Sequence, residues 1–327
     1  DKDGDLDLYV VNQPPNKKAF KKQLKGKRDY RFTDRFYRND GDKFTDITVE
    51  AGIKNYAYGL SATVGDLNKD GWLDIYVACD YEEPDLLYIN NGDGTFKNKA
   101  DESLRHMSNF SMGADIADIN NDGWLDIYTA DMVAEDNKRL KTNMSGMNPK
   151  KFWTLAKAGY HYQYMFNALQ LNNGNGLFSE VGQLAQVHAT DWSWSPIIAD
   201  LDNDGHKDII VTNGQKRDVR NNDYNINRKN VVEQTLAESK AGGKKNHAFN
   251  PLDLLALAPS IKLMNYAYRN NGDLSFSKTM DEWGLTELSW SHGSAVSDLD
   301  NDGDLDILIN NHDDLIFLYE NQASNRD

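Results

Sequence analysis

The sequence predicts an all-β fold, a β-propeller of four-stranded antiparallel blades with partly helical insertions on one face, and three observations predict it. An acidic loop of the form D-x-[DN]-x-D-G-x-x-D, followed by an apolar run, recurs five times: Asp1–Val10, Asp66–Val77, Asp118–Thr129, Asp200–Val211 and Asp298–Ile309. An Asn/Gly-type turn between apolar stretches follows the first four, at Arg38–Phe44, Asn90–Phe96, Asn172–Phe178 and Asn270–Phe276. Before each complete loop an aromatic stands eight positions back (Tyr58, Phe110, Trp192, Trp290), a small residue five back (Ser61, Gly113, Ser195, Gly293), and another small residue directly before (Gly65, Ala117, Ala199, Ser297).

Each element has a physical reason. Small side chains at fixed positions suit a strand A on a crowded inner edge. The acidic loop leads into strand B, an apolar run rich in β-branched and aromatic residues. Asn and Gly reach positive φ at low cost, so the second motif is a hairpin turn between strands C and D. The motif glycines Gly4, Gly71, Gly123, Gly205 and Gly303 are spaced by 67, 52, 82 and 98 residues. With 52 as the basic unit, the excesses are insertions, and four-stranded units of this length are the signature of a propeller. The approximate blades are 1–50, 51–103, 104–182, 183–282 and 283–327, with insertions at 12–35, 131–167 and 214–265. The first copy begins at its third motif position and the fifth turn fades to Tyr319–Gln322. Five blades are therefore expected, the first without strand A and the last without strand D, in a fragment of a longer protein whose total blade number stays open.

Composition narrows the function. Of 327 residues, 36 are Lys or Arg and 51 Asp or Glu, a net charge of −15. That balance disfavours a nucleic-acid backbone as partner. No apolar run approaches a membrane span. One cysteine, Cys79, excludes a disulfide framework and any multi-cysteine metal site.

The acidic loops read as calcium sites. Hard cations take oxygen ligands, and Asp or Asn at loop positions 1, 3 and 5 places three oxygens on one side of a tight turn. A backbone carbonyl at position 7 and an Asp at position 9 complete the cage. The expected side-chain ligands are Asp66, Asn68, Asp70 and Asp74; Asp118, Asn120, Asp122 and Asp126; Asp200, Asp202, Asp204 and Asp208; Asp298, Asp300, Asp302 and Asp306; and Asp1, Asp3 and Asp7 in the truncated copy. The carbonyls would come from Asp5, Trp72, Trp124, His206 and Asp304. An EF-hand is rejected, because position 12 holds Val77, Thr129, Val211 or Ile309 rather than Glu. Without cations the loop carboxylates would repel one another, so calcium is expected to be structural, about one ion per loop.

With these motifs in view, the units resemble FG-GAP/VCBS repeats, the blade type of integrin α subunits, and more narrowly the cartilage acidic protein and ASPIC/UnbV group in the long form found in Bacteroidota. Segments such as His161–Met165 and Pro251–Ile261 add to that likeness. The resemblance implies a propeller whose family expectation is seven blades, and it assigns no activity. Weak calcium sites fill outside the cell, so a secreted or cell-surface location is expected, with a signal sequence upstream.

Topology divides the faces. A–B loops and C–D turns share one end of a blade, and B–C connections, which hold all three large insertions, share the other. Functional residues concentrate on loops carried by rigid scaffolds. The first insertion carries Lys17, Lys18, Lys21, Lys22, Lys25, Lys27, Arg28, Arg31 and Arg35, either a solvated loop or an anion-binding patch. The second holds Phe152, Trp153, Tyr160, His161 and Tyr162, which either pack the insertion or form a platform for sugar rings. The third reads as two helices, one starting at a cap on Asn230 with Glu233 and running over 231–241, one starting at Asn250-Pro251. Leu252, Leu254, Leu255 and Leu257 are expected to pack on the blades or meet a partner. The ligand face is thus assigned to Lys21, Lys22, Arg28, Trp153, Tyr160, His161, Tyr162 and Arg217.

The leading expectation is a non-catalytic binding module for a glycan, an envelope protein or an outer-membrane nutrient-uptake complex. The alternatives are a polysaccharide lyase or hydrolase, for which His161, His188 and His292 with Tyr162 and Arg217 supply groups but no motif, and a spacer in a larger surface protein.

Overall fold

The computed structural model describes residues 2–14, 30–143, 148–241 and 250–323. Five antiparallel sheets follow one another along the chain. The first is β1 (Leu8–Val10), β2 (Arg35–Asn39) and β3 (Phe44–Asp46). The second is β4 (Tyr58–Gly65), β5 (Asp74–Asp80), β6 (Leu86–Asn90) and β7 (Phe96–Asn98). After β8 (Met107–Ser108), the third comprises β9 (Gly113–Ala117), β10 (Asp126–Ala130), β13 (Ala168–Asn172) and β14 (Phe178–Glu180), interrupted by β11 (Met132–Val133) and β12 (Gln163–Tyr164). The fourth comprises β15 (Asp191–Ala199), β16 (Asp208–Asn213), β18 (Tyr266–Asn270) and β19 (Phe276–Lys278), with β17 (Leu263–Met264) in its insertion. After β20 (Leu288–Ser289), the fifth is β21 (Ser291–Ser297), β22 (Asp306–Asn311) and β23 (Phe317–Tyr319). The first sheet starts at strand B and the last stops at strand C.

Burial explains the order. Strand β5, DIYVACD, is buried at every residue, because both of its faces meet neighbouring sheets. The cores lie between blades: Leu67, Tyr76 and Leu87 meet Ile127 and Phe178, and Tyr128 and Leu169 meet Ile209, Val211 and Tyr268. The A strands β4, β9, β15 and β21 are successive neighbours along the inner edge. The crowding read from the small residues is real there: a Cβ on Gly113 would sit 2.1 Å from the Trp194 carbonyl oxygen.

A repeated buried polar joint ties strand B to strand C. The residue just before each C strand, Asp34, Asp85, Asn167 or Asn265, accepts a backbone N–H within two residues of the end of strand B: Asn12 at 2.7 Å, Cys79 at 2.7 Å, Asp131 at 2.8 Å and Asn213 at 3.0 Å. Tyr9 and Tyr76 donate to Asp34 and Asp85, both at 2.6 Å, whereas in the third blade Asn167 donates to the Tyr128 hydroxyl at 3.0 Å. Burial lifts the Asp85 carboxyl to about 7, against the opposing pull of its Tyr76, Cys79 and Ser111 donors.

The insertions are partly helical, as expected, and depart from the sequence reading at the start of the first helix of the third. The second is partly helical, with helices Asn137–Asn143 and Pro149–Lys157. Its β11 pairs with β15, adding an inner fifth strand to the fourth sheet, and its β12 runs parallel to β8. The first helix of the third insertion is Asn222–Ala241, so Asn230 is mid-helix rather than its cap. The cap is Asn221, whose side chain accepts from Tyr224 N at 2.9 Å. The stretch 222–230 is rich in Asn, a weak helix former, and burial of Tyr224 overrides that propensity. The helix Pro251–Ala256 starts at Asn250 as read, but none of its residues is buried and Leu252 is 70 % exposed, so its leucines do not pack on the blades.

Candidate functional site

Each acidic loop is organised by its own carboxylates. Asp66 accepts from Asp70 N at 3.1 Å and Gly71 N at 2.8 Å, and Asp70 accepts from Trp72 N at 2.8 Å. Asp118 and Asp122 repeat these bonds, as do Asp298 and Asp302. Asp200 and Asp204 keep the bonds to Gly205 and His206. The position-9 Asp does something the sequence did not disclose. Asp74 accepts from Leu67 N inside the loop and from Asn90 N at the C–D turn, both at 2.9 Å. Asp126, Asp208 and Asp306 do the same with Ile119 and Asn172, Leu201 and Asn270, Leu299 and Asn321. In the first blade Asp7 accepts from Asn39 N at 3.0 Å. These bonds fix the loops and turns at one end of the blades.

The first Asn of the turn then reaches the preceding blade. Asn172 donates to Leu67 O at 2.7 Å, Asn270 to Ile119 O at 2.8 Å and Asn321 to Leu201 O at 2.7 Å. The position-4 residue reaches forward: Lys2 lies over the Trp72 ring at 4.0 Å, Lys69 over Trp124 at 4.3 Å, and Asn121 donates to Gly205 O at 2.9 Å. Trp72 and Trp124 also cover the turn glycines Gly92 and Gly174. Both glycines have positive φ, and a Cβ on either would meet its indole at 2.8 Å. The repeating Asn-Asn pairs of the turns were the available signal for this stapling.

The donor set fits a hard cation. Oxygens of Asp200, Asp202 and Asp208 lie within 4.8 Å of one another, as do those of Asp298, Asp300 and Asp302. In the fourth blade, Asp200 Oδ1 and Asp202 Oδ1 are buried without a hydrogen-bond partner. Burial, then the Asp204 charge, raises Asp202, and burial ahead of neighbouring loop carboxylates lifts Asp74 to about 6 and Asp126 and Asp208 to about 7. An all-oxygen cluster whose carboxylates repel one another matches calcium chemistry.

At the opposite end, the insertions enclose a groove beside the A-strand starts. Its wider part, about 800 Å³, is lined by Tyr58, Tyr81, Trp192, Trp194, Arg220 and Asp80 among others. A branch of about 350 Å³ shares Phe110, Lys151, Val219, Arg220 and Asn225 with it, and adds Phe152 and His161. Trp192 and Trp194 are near parallel at 6.4 Å, and Tyr58 meets Tyr81 edge-on at 5.0 Å. Burial first lifts Asp80 to about 6, with Asp131 and Glu82 adding to the rise while Arg220 opposes it.

With both ends described, the chain was compared with known proteins. The FG-GAP-like repeat profile matches residues 1–77, 66–129, 156–211 and 252–309. The chain belongs to the FG-GAP-like repeat family. As an FG-GAP-like repeat chain, it is 23% identical over 294 residues to human Cartilage acidic protein 1, covering 77% of this chain and 44% of that protein. The mouse protein of the same name gives 23% over 77% of this chain and 45% of its own length. The Xenopus tropicalis protein gives 30% over 104 residues, 31% of this chain and 16% of its length. The chain thus spans less than half the length of these relatives. A solved Agrocybe aegerita lectin that recognises non-reducing terminal N-acetylglucosamine superposes with a TM-score of 0.38 at 17% identity, over 89% of this chain and 61% of its own, too distant to carry an argument.

The residues read from the sequence of this FG-GAP-like repeat chain divide as follows. Asp1, Lys21, Lys22 and Arg28 lie outside the described residues. His161 lines the narrow branch, with its ring against Leu104 O at 3.0 Å. Trp153 and Tyr162 flank Phe152, at 5.1 and 6.0 Å between rings, and are both about half exposed. Tyr160 is half-buried, and its backbone N–H donates to Leu155 O at 3.1 Å. Arg217 is held away by Ala258 O at 3.2 Å. His292 meets Trp194 in a tilted contact at 4.8 Å and His188 has a buried Nδ1, and neither lines the groove with His161. Arg220, Lys151, Tyr81, Trp194 and Asp80 were missed, since single residues in unrelated loops leave no pattern in sequence. No helix among the described residues is long and apolar enough to cross a membrane.

Proposed function

We propose that the chain is a calcium-held scaffold that presents its inserted face as an extracellular binding site and does no chemistry of its own. The observation that carries the calcium half is the Asp200, Asp202 and Asp208 cluster with its two unpartnered buried oxygens. Asp66, Asn68, Asp70 and Asp74, Asp118, Asn120, Asp122 and Asp126, and Asp298, Asp300, Asp302 and Asp306 hold the equivalent ions. Calcium there neutralises the loop carboxylates and fixes the end of each blade, which keeps the opposite face in shape. The aromatic groove supports the binding half: rings and amides on a rigid rim suit a saccharide or a protein loop. The separation of the three histidines, only one of which lines the groove, supports a non-catalytic reading over a lyase.

A glycan array read in 2 mM calcium and again in EDTA tests this. The expected result is retention of defined glycans in calcium, weaker retention in EDTA, and recovery of the glycan unchanged. New reducing ends or unsaturated products would establish an enzyme, and an array without retention would leave the spacer role.

A further inference from the structure

We propose that the groove binds a carboxylated saccharide, with Arg220 as the carboxylate clamp and the surrounding rings as the sugar platform; this rests on the binding-module reading above. Arg220 is half-buried at the junction of the two branches and belongs to the lining of both. Its guanidinium lies 4.9 Å from the Phe110 ring and 6.0 Å from the Trp192 ring. Stacked on rings, a guanidinium keeps its in-plane N–H donors available at the edges.

Those donors have no internal acceptor. Among the described residues Arg220 forms no hydrogen bond and no ion pair, whereas the neighbouring cation Lys151 is paired with Glu82 at 2.8 Å. Asp80, whose charge acts on Arg220, is buried and its side chain already accepts the Tyr81 N–H at 2.7 Å. Most half-buried arginines of this chain are committed: Arg139, for comparison, is held between Asp191 and Asp218. Arg220 is instead a planar, fixed cation facing a cavity, and a planar carboxylate matches its two-pronged donor geometry.

The rest of the lining selects a sugar over an acidic peptide. Gln13, Asn109, Gln163, Gln215, Asn222 and Asn225 line the two branches. Gln163, Asn222 and Asn225 already donate to the carbonyls of Glu83, Lys141 and Asn221, so they offer their oxygens, while Gln13, Asn109 and Gln215 offer both a donor and an acceptor, as hydroxyls require. Aromatic rings at Tyr58, Tyr81 and Trp194, partly exposed along the groove, suit the C–H faces of pyranose rings, with Trp192 buried beneath Trp194. The volumes, about 350 and 800 Å³, suit a short oligosaccharide rather than a single ring.

The test uses the chain in 2 mM calcium and calorimetric titration with tetramers of galacturonate, glucuronate, mannuronate and guluronate. Each has a carboxyl-reduced counterpart that differs only in carrying CH2OH for the carboxylate, and hexaglutamate is the peptide probe. At least one uronate tetramer is expected to bind ten-fold or more tighter than its reduced form. Arg220→Gln should erase that preference, Arg220→Lys should retain part of it, and neither should shift the melting temperature. Tyr58→Ala should weaken acidic and reduced sugars alike. Equal affinity for a uronate and its reduced form, or a preference that survives Arg220→Gln, overturns the carboxylate clamp while leaving a binding module in place. Tighter binding of hexaglutamate than of every tetramer overturns the saccharide, and no binding of any probe overturns this inference, while the glycan array decides the reading beneath it.

Discussion

The two ends of the blades are built by opposite rules. At the loop end the same bonds recur: position-9 Asp to loop and turn, turn Asn to the preceding blade, position-4 residue to the following one. At the insertion end the contributions of neighbouring blades differ in length, secondary structure and charge, and the groove arises only from their meeting. Repetition therefore marks what holds the arc together, and its breakdown marks what gives this chain a surface of its own.

Substitutions can break or sharpen that contrast, and the largest effect is expected on the inner edge. Gly113→Ala drives a Cβ to 2.1 Å from the Trp194 carbonyl, whereas Gly293, at the same motif position of the last sheet, has nothing within 4 Å of its Cβ. Gly113→Ala should cost about 3 kcal/mol or more and Gly293→Ala less than about 1. Urea unfolding of the two variants measures the difference, and equal losses would show that neighbouring blades do not set the crowding.

Next come the staples. Asn172→Ala removes bonds to Leu67 O, Leu125 O and Gly174 N, whereas Asn90→Ala removes bonds to Leu73 O and Gly92 N inside its own blade. The expected losses are about 2–3 and about 1 kcal/mol. Thermal melts decide it, and the same loss in both would deny the inter-blade bond a special role.

The buried joint gives a pH-dependent case. Asp85 is raised in the fold to about 7, so between about 4 and 7 the folded chain holds a proton that the unfolded chain has released. By linkage, this group's contribution to stability is full at low pH and falls as pH rises through that window. Asp85→Asn keeps an acceptor for Cys79 N and can donate to Tyr76 Oη, as Asn167 does to Tyr128 in the next blade. The variant should gain about 1–3 kcal/mol on wild type at pH 8 and lose that advantage by pH 4. A gap that does not change with pH would contradict a proton on Asp85. The smallest effect is expected for Lys69→Ala, which gives up one exposed stack on Trp124, about 0.5–1 kcal/mol. Chemical denaturation at low and high salt would measure it.

How far the sequence could be read follows the same division. The repeated antiparallel four-stranded unit and its strand order were legible, because each is written several times and copies correct one another. The chemistry of position 9 was half legible: Asp74 was recognisable as a loop carboxylate, but its bond to Asn90 joins residues sixteen apart. The start of the helix Asn222–Ala241 was misplaced by nine residues because Tyr224, not local propensity, pins it. The groove was legible only through its aromatics. Arg220 carries no local signature, and what distinguishes it is the lack, among the described residues, of a hydrogen-bond or ion-pair partner, which only three dimensions reveal.

Calcium dependence of the melt tests the central claim most directly. Four complete loops, each at ten times its dissociation constant, would together contribute about 6 kcal/mol, or roughly 9 °C for a chain of this size. The expected result is a melting temperature lowered by that amount in EDTA and restored by calcium but not by magnesium. A melt unchanged by excess EDTA would mean that the acidic loops hold together through their own hydrogen bonds, and the account of the scaffold as calcium-held would be wrong.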